Sequence, residues 1–393
     1  MPQTITADTL IIANAAQSST AFGEVATASY TPTVQLEFNY AILSRLVTTN
    51  VDGSGTITQN NSKAIISSDT TTDSSAELLS KRTILHRSGQ GAVFMGAGLF
   101  SPPVSTGTQL MGIGDQVDGY FFGYDGESFG ILRRRSSYDD WTSQSEWNGD
   151  KMDGSGSSSI LLDPSAGNVY KIQFQWLGFG VIYFYIVNPL TGRWIKVHTI
   201  QYPNSNTSPS VFNPFLPVYV YAKNGETATD VSVSVSSLSA GVEGIINPHA
   251  SGILHGTSIL IEGISAEVPV LSIKNAIEFN DIPNRVPVKI LNITVAADGG
   301  KPLVTKLLLN ATLVADGFVS HEVNESVISV DTSATSASYG EDLFVDVIGK
   351  NLSAQIDINA LDIYLYPNDT LTIVCSSTGD NDPIVSISWM ELF

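Results

Sequence analysis

From about Arg82 onward, apolar residues come in short β-branched or aromatic runs separated by Gly, Pro, Asn and Asp. This is the signature of strands joined by turns. Gly91–Phe100 reads as one strand, ended by Ser101-Pro-Pro103. Gly119–Tyr124 and Ser128–Arg133 flank Asp125-Gly126, which predicts a β-hairpin. Asn168–Leu177 and Gly180–Val187 pair around Gly178, and Asn188–Gly192 turns into Arg193–Ile200. Val218–Ala222 and Val231–Ser236 complete a first set; the second of these alternates with period two, burying one face and wetting the other. Up to nine further runs follow between Ser258 and Trp389, the last placing Val385, Ile387 and Trp389 on one face. Helical patterning is confined to Asn39–Leu46 and Ser75–Arg82. Residues 47–74 read as a hairpin or loop, and Trp141–Ser159 as a polar, Gly-rich surface excursion.

The prediction is an all-β chain of tandem antiparallel β-sandwiches. Residues 1–30 form a weakly patterned N-terminal arm, ordered only against a partner. Residues 31–240 form the first sandwich, 241–257 a linker, and 258–393 a C-terminal sandwich with enough strands for a jelly roll.

Charge narrows the function. Only 15 % of residues are charged and the net charge is −19. From Gly241 to Phe393 there are six Lys/Arg against nineteen Asp/Glu, a net of −13. Nucleic acid and anionic membranes need clustered cations, so neither is expected as a partner. The N-terminus lacks the basic and apolar regions of a secretory signal, so synthesis in a reducing cytosol is expected. The single cysteine, Cys375, sits in an apolar run and reads as a buried small hydrophobe.

The stretch Ser80–Arg135 is the most specific. It runs Lys81-Arg-Thr-Ile-Leu-His-Arg-Ser-Gly-Gln-Gly91, then Gly98-Leu-Phe, then Gln109-Leu-Met-Gly-Ile-Gly-Asp115. Asp118-Gly-Tyr-Phe-Phe-Gly-Tyr-Asp-Gly-Glu-Ser-Phe-Gly-Ile-Leu-Arg133 follows. This resembles a β-sandwich module of virion proteins of double-stranded DNA viruses, found in tail and head fibres of tailed phages and in minor capsid or fibre proteins of large viruses. The likeness spans roughly residues 75–225, and Asn368–Ile373 with Ser386–Glu391 resemble closing strands of such proteins. Asp125-Gly126 replaces the usual Asn-Gly turn, and Ser88 stands where Pro is frequent. The resemblance implies a non-enzymatic structural role in the virion, with other virion proteins as partners; the first sandwich is expected to be lectin-like and the second jelly-roll-like. A homo-oligomer, taken as a trimer, and assembly through docking are expected. The alternative is an adhesin that binds a host-surface glycan.

Candidate chemistry is sparse. Tyr138, Trp141 and Trp147 lie in or beside the polar excursion and are the candidates for stacking on sugar rings. Arg133, Arg134 and Arg135 end a strand and are either an edge or a contact for a neighbouring subunit's acidic patch. Asp115, Asp118, Asp125 and Glu127 are close in sequence, but lack EF-hand spacing and read as turn acids. Asp150, Asp153 and the run to Ser159 are a looser version of the same. His86, His198, His249, His255 and His321 show no metal-ligand spacing, and His249 and His255 are treated as unrelated. No nucleophile elbow and no 20–50-residue repeat of a glycan depolymerase is present. No catalytic residue, metal or cofactor is expected.

Overall fold

The computed structural model describes residues 30–175, 177–244, 252–356, 358, 361 and 363–393. The expected arm, apart from Tyr30, lies outside the described residues. The chain divides into two compact units, 1–246 and 247–393, and both are all-β.

The first unit holds strands β1 (Tyr30–Glu37), β2 (Val47–Asp52), β3 (Thr56–Asn60), β4 (Lys63–Ser67) and β5 (Ser75–Thr83). Next come β6 (Gly91–Phe100), β7 (Thr108–Gly114), β8 (Gly119–Asp125), β9 (Ser128–Arg135) and β10 (Tyr138–Ser143). The last are β11 (Asn168–Gln175), β12 (Ile182–Val187), β13 (Trp194–Ile200), β14 (Pro217–Lys223) and β15 (Ser232–Glu243). They form two antiparallel sheets. One runs β13-β12-β11-β6-β15-β4-β3, with β1 also paired to β15; the other runs β10-β9-β8-β7-β14-β5-β2. β15 carries both β4 and β1 on one flank because it is twelve residues long and each partner uses one half.

Period-two alternation aims one face of each sheet inward. Phe94 and Phe100 on β6, Tyr120 and Phe122 on β8, and Tyr170 and Phe174 on β11 meet in the core with Phe184 of β12. Phe122 meets Phe184 at 84° with centroids 5.3 Å apart, and Phe100 meets Tyr170 at 83° and 5.9 Å. Edge-to-face packing suits the ring quadrupoles, and each buried ring contributes ~1.5–3 kcal/mol relative to exposure. Tyr120 buries its ring fully and keeps its hydroxyl paired with Ser210 Oγ at 2.7 Å.

Three expectations are corrected here. Ser75–Arg82 is strand β5, not helix. Ala76 and Leu78 face the core while Glu77 and Leu79 face outward, and β5 pairs with both β14 and β2. Two ladders of hydrogen bonds override the modest helix preference of Ala, Glu and Leu. Asn39–Leu46 forms turns rather than a helix. In the β8–β9 hairpin Asp125 pairs with Ser128, so the loop residues are Gly126 and Glu127, one later than expected. Gly126 sits at φ +55°, where a side chain is strained.

The second unit holds β16 (Gly252–Leu260), β17 (Val268–Asn275), β18 (Glu278–Phe279), β19 (Ile282–Pro283) and β20 (Val288–Ala296). After these come β21 (Leu303–Leu309), β22 (Thr312–Val314), β23 (Val319–Ser320), β24 (Ile328–Asp331) and β25 (Ser336–Ser338). β26 (Glu341–Ile348), β27 (Ser353–Ile356), β28 (Tyr364–Leu365), β29 (Thr370–Ser377) and β30 (Ile384–Leu392) complete it. One sheet runs β16-β30-β20-β27 with β28 on β20; its partner runs β23-β24-β17-β29-β21-β26. Val385, Ile387 and Trp389 of β30 point into the core between them. Cys375 lies in the same core with Thr305 Oγ1 at 3.5 Å, and burial pushes its thiol up to about 11. β15 reaches Glu243 and β16 begins at Gly252, so strands enter the expected linker from both sides.

Candidate functional site

The seven-stranded sheet of the first unit has a second, outward face, and strand register sorts it into rows. One row runs Trp141–Leu132–Phe121–Gly112–Tyr219–Leu79–Thr48 across β10, β9, β8, β7, β14, β5 and β2. The adjacent row runs Ser143–Gly130–Gly123–Leu110–Tyr221–Glu77–Asn50. Leu110, Phe121, Leu132 and Tyr219 form a small apolar cluster there, and Leu79, Trp141 and Tyr221 pack against it half-buried.

Glycine shapes this face. A Cβ on Gly130 would meet the Thr142 carbonyl oxygen and stand 2.9 Å from Trp141 Cζ2. A Cβ on Gly123 would run into the Gln109 carbonyl oxygen. With no side chain at either position, the Trp141 ring lies against Gly130, and Leu110 and Tyr221 continue the row beyond Gly123. Tyr219 and Tyr221 stack at 21° with centroids 6.0 Å apart.

Polar groups border the apolar cluster on this face. Glu77 accepts hydrogen bonds from Asn50 Nδ2 (2.9 Å), Gln116 Nε2 (2.6 Å) and the Tyr219 hydroxyl (2.9 Å). Burial pushes the Tyr219 phenol up, the Glu77 charge adds to this, and the hydroxyl therefore stays a donor. Arg134 donates a two-pronged pair to Asp139, 2.7 and 3.0 Å, while its guanidinium lies 5.6 Å over the Phe121 ring.

The sequence candidates fall in different places. Trp141 is on this outward face. Tyr138 is three residues earlier on β10, exposed, and by alternation on the other side of the strand. Trp147 is corrected outright as a surface aromatic: it is buried, meeting Phe122 at 6.4 Å and Phe129 at 6.2 Å in the sandwich core. The excursion folds it inward because the Gly149 N–H bonds the Val197 carbonyl, 3.0 Å, and Asp150 ties its own loop to Met152 and Ser158.

The basic triplet is not a free cluster either. Arg133 is paired with Asp140 at 2.9 Å and lies 5.4 Å over the Tyr202 ring, and Arg134 is held by Asp139. Arg135 is half-buried. The partners of Arg133 and Arg134 come from the next strand, so these two charges are satisfied at home and leave little for a neighbour's acidic patch. Asp118 is fully buried and accepts from the Phe212 (2.8 Å), Ser136 (3.2 Å) and Asn213 (3.3 Å) backbone N–H groups, while Asp115 accepts from Val117 and Asp118. These acids pin loops. In the second unit, His255 and His321 do come together, with ring centroids 5.6 Å apart, although 66 residues separate them in the chain.

No protein-family model and no curated protein matches the sequence. Among solved structures, the metal-free carbohydrate recognition domain of Emp46p aligns at TM-score 0.36 and 9 % identity, over 56 % of this chain and 100 % of that one. The cellulose-induced protein Cip1 aligns at 0.32 and 13 %, over 53 % and 96 %. A putative β-glucanase from Mycobacterium abscessus aligns at 0.34 and 11 %, over 53 % and 100 %. At these scores the likeness carries no functional argument. The face itself must supply one.

Tyr221, Glu77, Gln116 and the glycines at 112, 123 and 130 belong to the face but were not singled out from sequence. The available signal was the alternation in β14, where Val218, Val220 and Ala222 are core and Tyr219 and Tyr221 fall opposite.

Proposed function

We propose that the chain is a carbohydrate-binding attachment protein, with the outward face of the β10–β2 sheet as its glycan site. The observation that carries this is the aromatic outward face itself, where the partly buried rings of Trp141 and Tyr221 pack on the Leu110–Phe121–Leu132–Tyr219 cluster. A pyranose presents apolar C–H faces that pack on such rings and hydroxyls that pair with charged and amide groups. Glu77 and Asn50 continue the row of Tyr221, and the Arg134–Asp139 pair occupies the row on the other side of Trp141, so the same face offers polar partners for those hydroxyls. Binding on a glycan array or to whole cells is expected to drop at least ~10-fold in Trp141→Ala with Tyr221→Ala. Unchanged binding by a variant with native circular dichroism overturns the reading.

A second reading is a structural part of a virus particle, and one protein can both build and bind. Two things support it: the sequence resemblance over roughly residues 75–225, and strand β26, an edge among the described residues. β26 exposes Val345 and Val347, and an open apolar edge pairs readily with another strand. The occupant proposed is a second copy of this chain. Light scattering is expected to give an oligomer that Val345→Lys with Val347→Lys dissociates; a wild-type monomer counts against it.

A further inference from the structure

The second unit carries a group of side chains that neither proposed role uses. We propose that His255, His321 and Glu322 bind a divalent transition-metal ion of the zinc class. One donor atom from each lies within 4.8 Å of the other two. His255 comes from β16, while His321 and Glu322 directly follow β23. His255 Nδ1 stands 3.8 Å from Glu322 Oε2, and His321 Nε2 stands 3.9 Å from Glu322 Oε1. Metal bonds of about 2.0–2.2 Å would need these side chains to close by about 1 Å, within the reach of rotations about exposed Glu322.

Trp389 is the platform. The His255 ring stacks on it at 5.9 Å and 23°, and the His321 ring meets it edge-on at 4.9 Å and 67°. The indole is fully buried in β30, so both imidazoles are held against a rigid wall.

The independent observation concerns His255. Its side chain is only 6 % exposed, yet Nε2 has no hydrogen-bond partner among the described residues. A buried polar atom left so is costly and calls for an explanation. Nε2 faces Glu391 Oε1 at 3.8 Å. Glu391 is itself completely buried and fixed by Ser326 Oγ (2.5 Å), the Val327 N–H (2.9 Å) and Trp389 Nε1 (3.0 Å). Once the ring closes the present 3.8 Å gap to hydrogen-bond length, the carboxylate behind Nε2 pairs that N–H and presents the other nitrogen to an ion. This is the arrangement that orients metal-bound histidines. Nδ1 is the nitrogen on the side of Glu322.

Two imidazoles and one carboxylate favour zinc-class ions over magnesium or calcium, which want oxygen donors. Three protein ligands leave coordination open. A cavity of about 480 Å³ adjoins the group, walled by Ile253, Leu254, Phe279 and Phe393 beside His255 and Glu322. Water or an oxygen-donor ligand in that cavity would complete the shell.

The test is titration of the chelator-stripped full chain with zinc chloride by calorimetry, with metal content read by mass spectrometry. One tightly held zinc per chain is expected, with no magnesium uptake in the same range. His321→Gln and Glu322→Gln are each expected to weaken zinc binding at least ~10-fold. Glu322 is half-exposed, so its variant folds and decides the matter if His321→Gln does not. No zinc uptake, or uptake equal in wild type and Glu322→Gln, overturns the site, since the many surface acids would bind diffusely and indifferently to either change.

Discussion

At Gly130 the ring of Trp141 takes the room a side chain would need. This makes a sharp test, because a single added group disturbs the platform without removing any of its aromatic atoms. Gly130→Val would run into the Thr142 carbonyl oxygen and the Trp141 indole. Overpacking of this kind costs about 1–3 kcal/mol. Urea unfolding is expected to show that loss, and glycan binding is expected to fall with it as Trp141 is pushed aside. Glu77 gives a second test at this scale. It is nearly buried and satisfies three donors, so Glu77→Ala leaves the buried Tyr219 hydroxyl and Asn50 without their acceptor, while Gln116 keeps only the Tyr219 oxygen. A loss of about 1–3 kcal/mol in the same assay is expected.

Several elements are pinned by acids that hold the adjoining loops. Asp331, at the end of β24, accepts from the Gly317, Ser333 and Ala334 N–H groups and from Ser333 Oγ. Burial pushes its carboxyl up, but these hydrogen bonds outweigh burial and hold it below the usual range. Asp150 behaves alike, through Met152 and Ser158. A folded-state value below the unfolded one means that the contribution is fully present above about pH 4 and is lost as pH falls through the folded value. Urea midpoints measured from pH 7 down to pH 2.5 are expected to fall in acid, and Asp331→Asn is expected to make that fall shallower. A variant with an unchanged acid slope would show that Asp331 is not one of the groups responsible. At this scale most strands were legible from their period, but β5 was not. Its Ser-Ala-Glu-Leu-Leu-Ser-Lys-Arg satisfies a helix as well as a strand, and only its two neighbours settle the matter.

For the whole molecule, each unit has its own closed core and its own pair of facing sheets. Residues 30–246 and 247–393 expressed separately are each expected to unfold in one cooperative step. A fragment without a sharp transition would show that its core depends on the other. No helix among the described residues is long and apolar enough to cross a membrane.

Alternation along the chain was enough to make this an all-β protein with two cores, because period two fixes which side chains are buried wherever a strand forms. It was also enough to bury Cys375 and to set Val385, Ile387 and Trp389 on one side of the last strand. Composition alone could not tell Trp141 from Trp147. Six residues apart in one polar stretch, the first lies across a glycine on an open sheet face and the second fills the sandwich core. The arginines at 133 and 134 were likewise legible as charges, but their partners at 139 and 140 became visible only once β10 folded back on β9. His255 and His321 gave no signal at all, since ligand spacing in sequence exists only when one element supplies the ligands. Here β16 and the segment after β23 meet over Trp389, and that meeting is a property of the folded sheets, not of any local pattern.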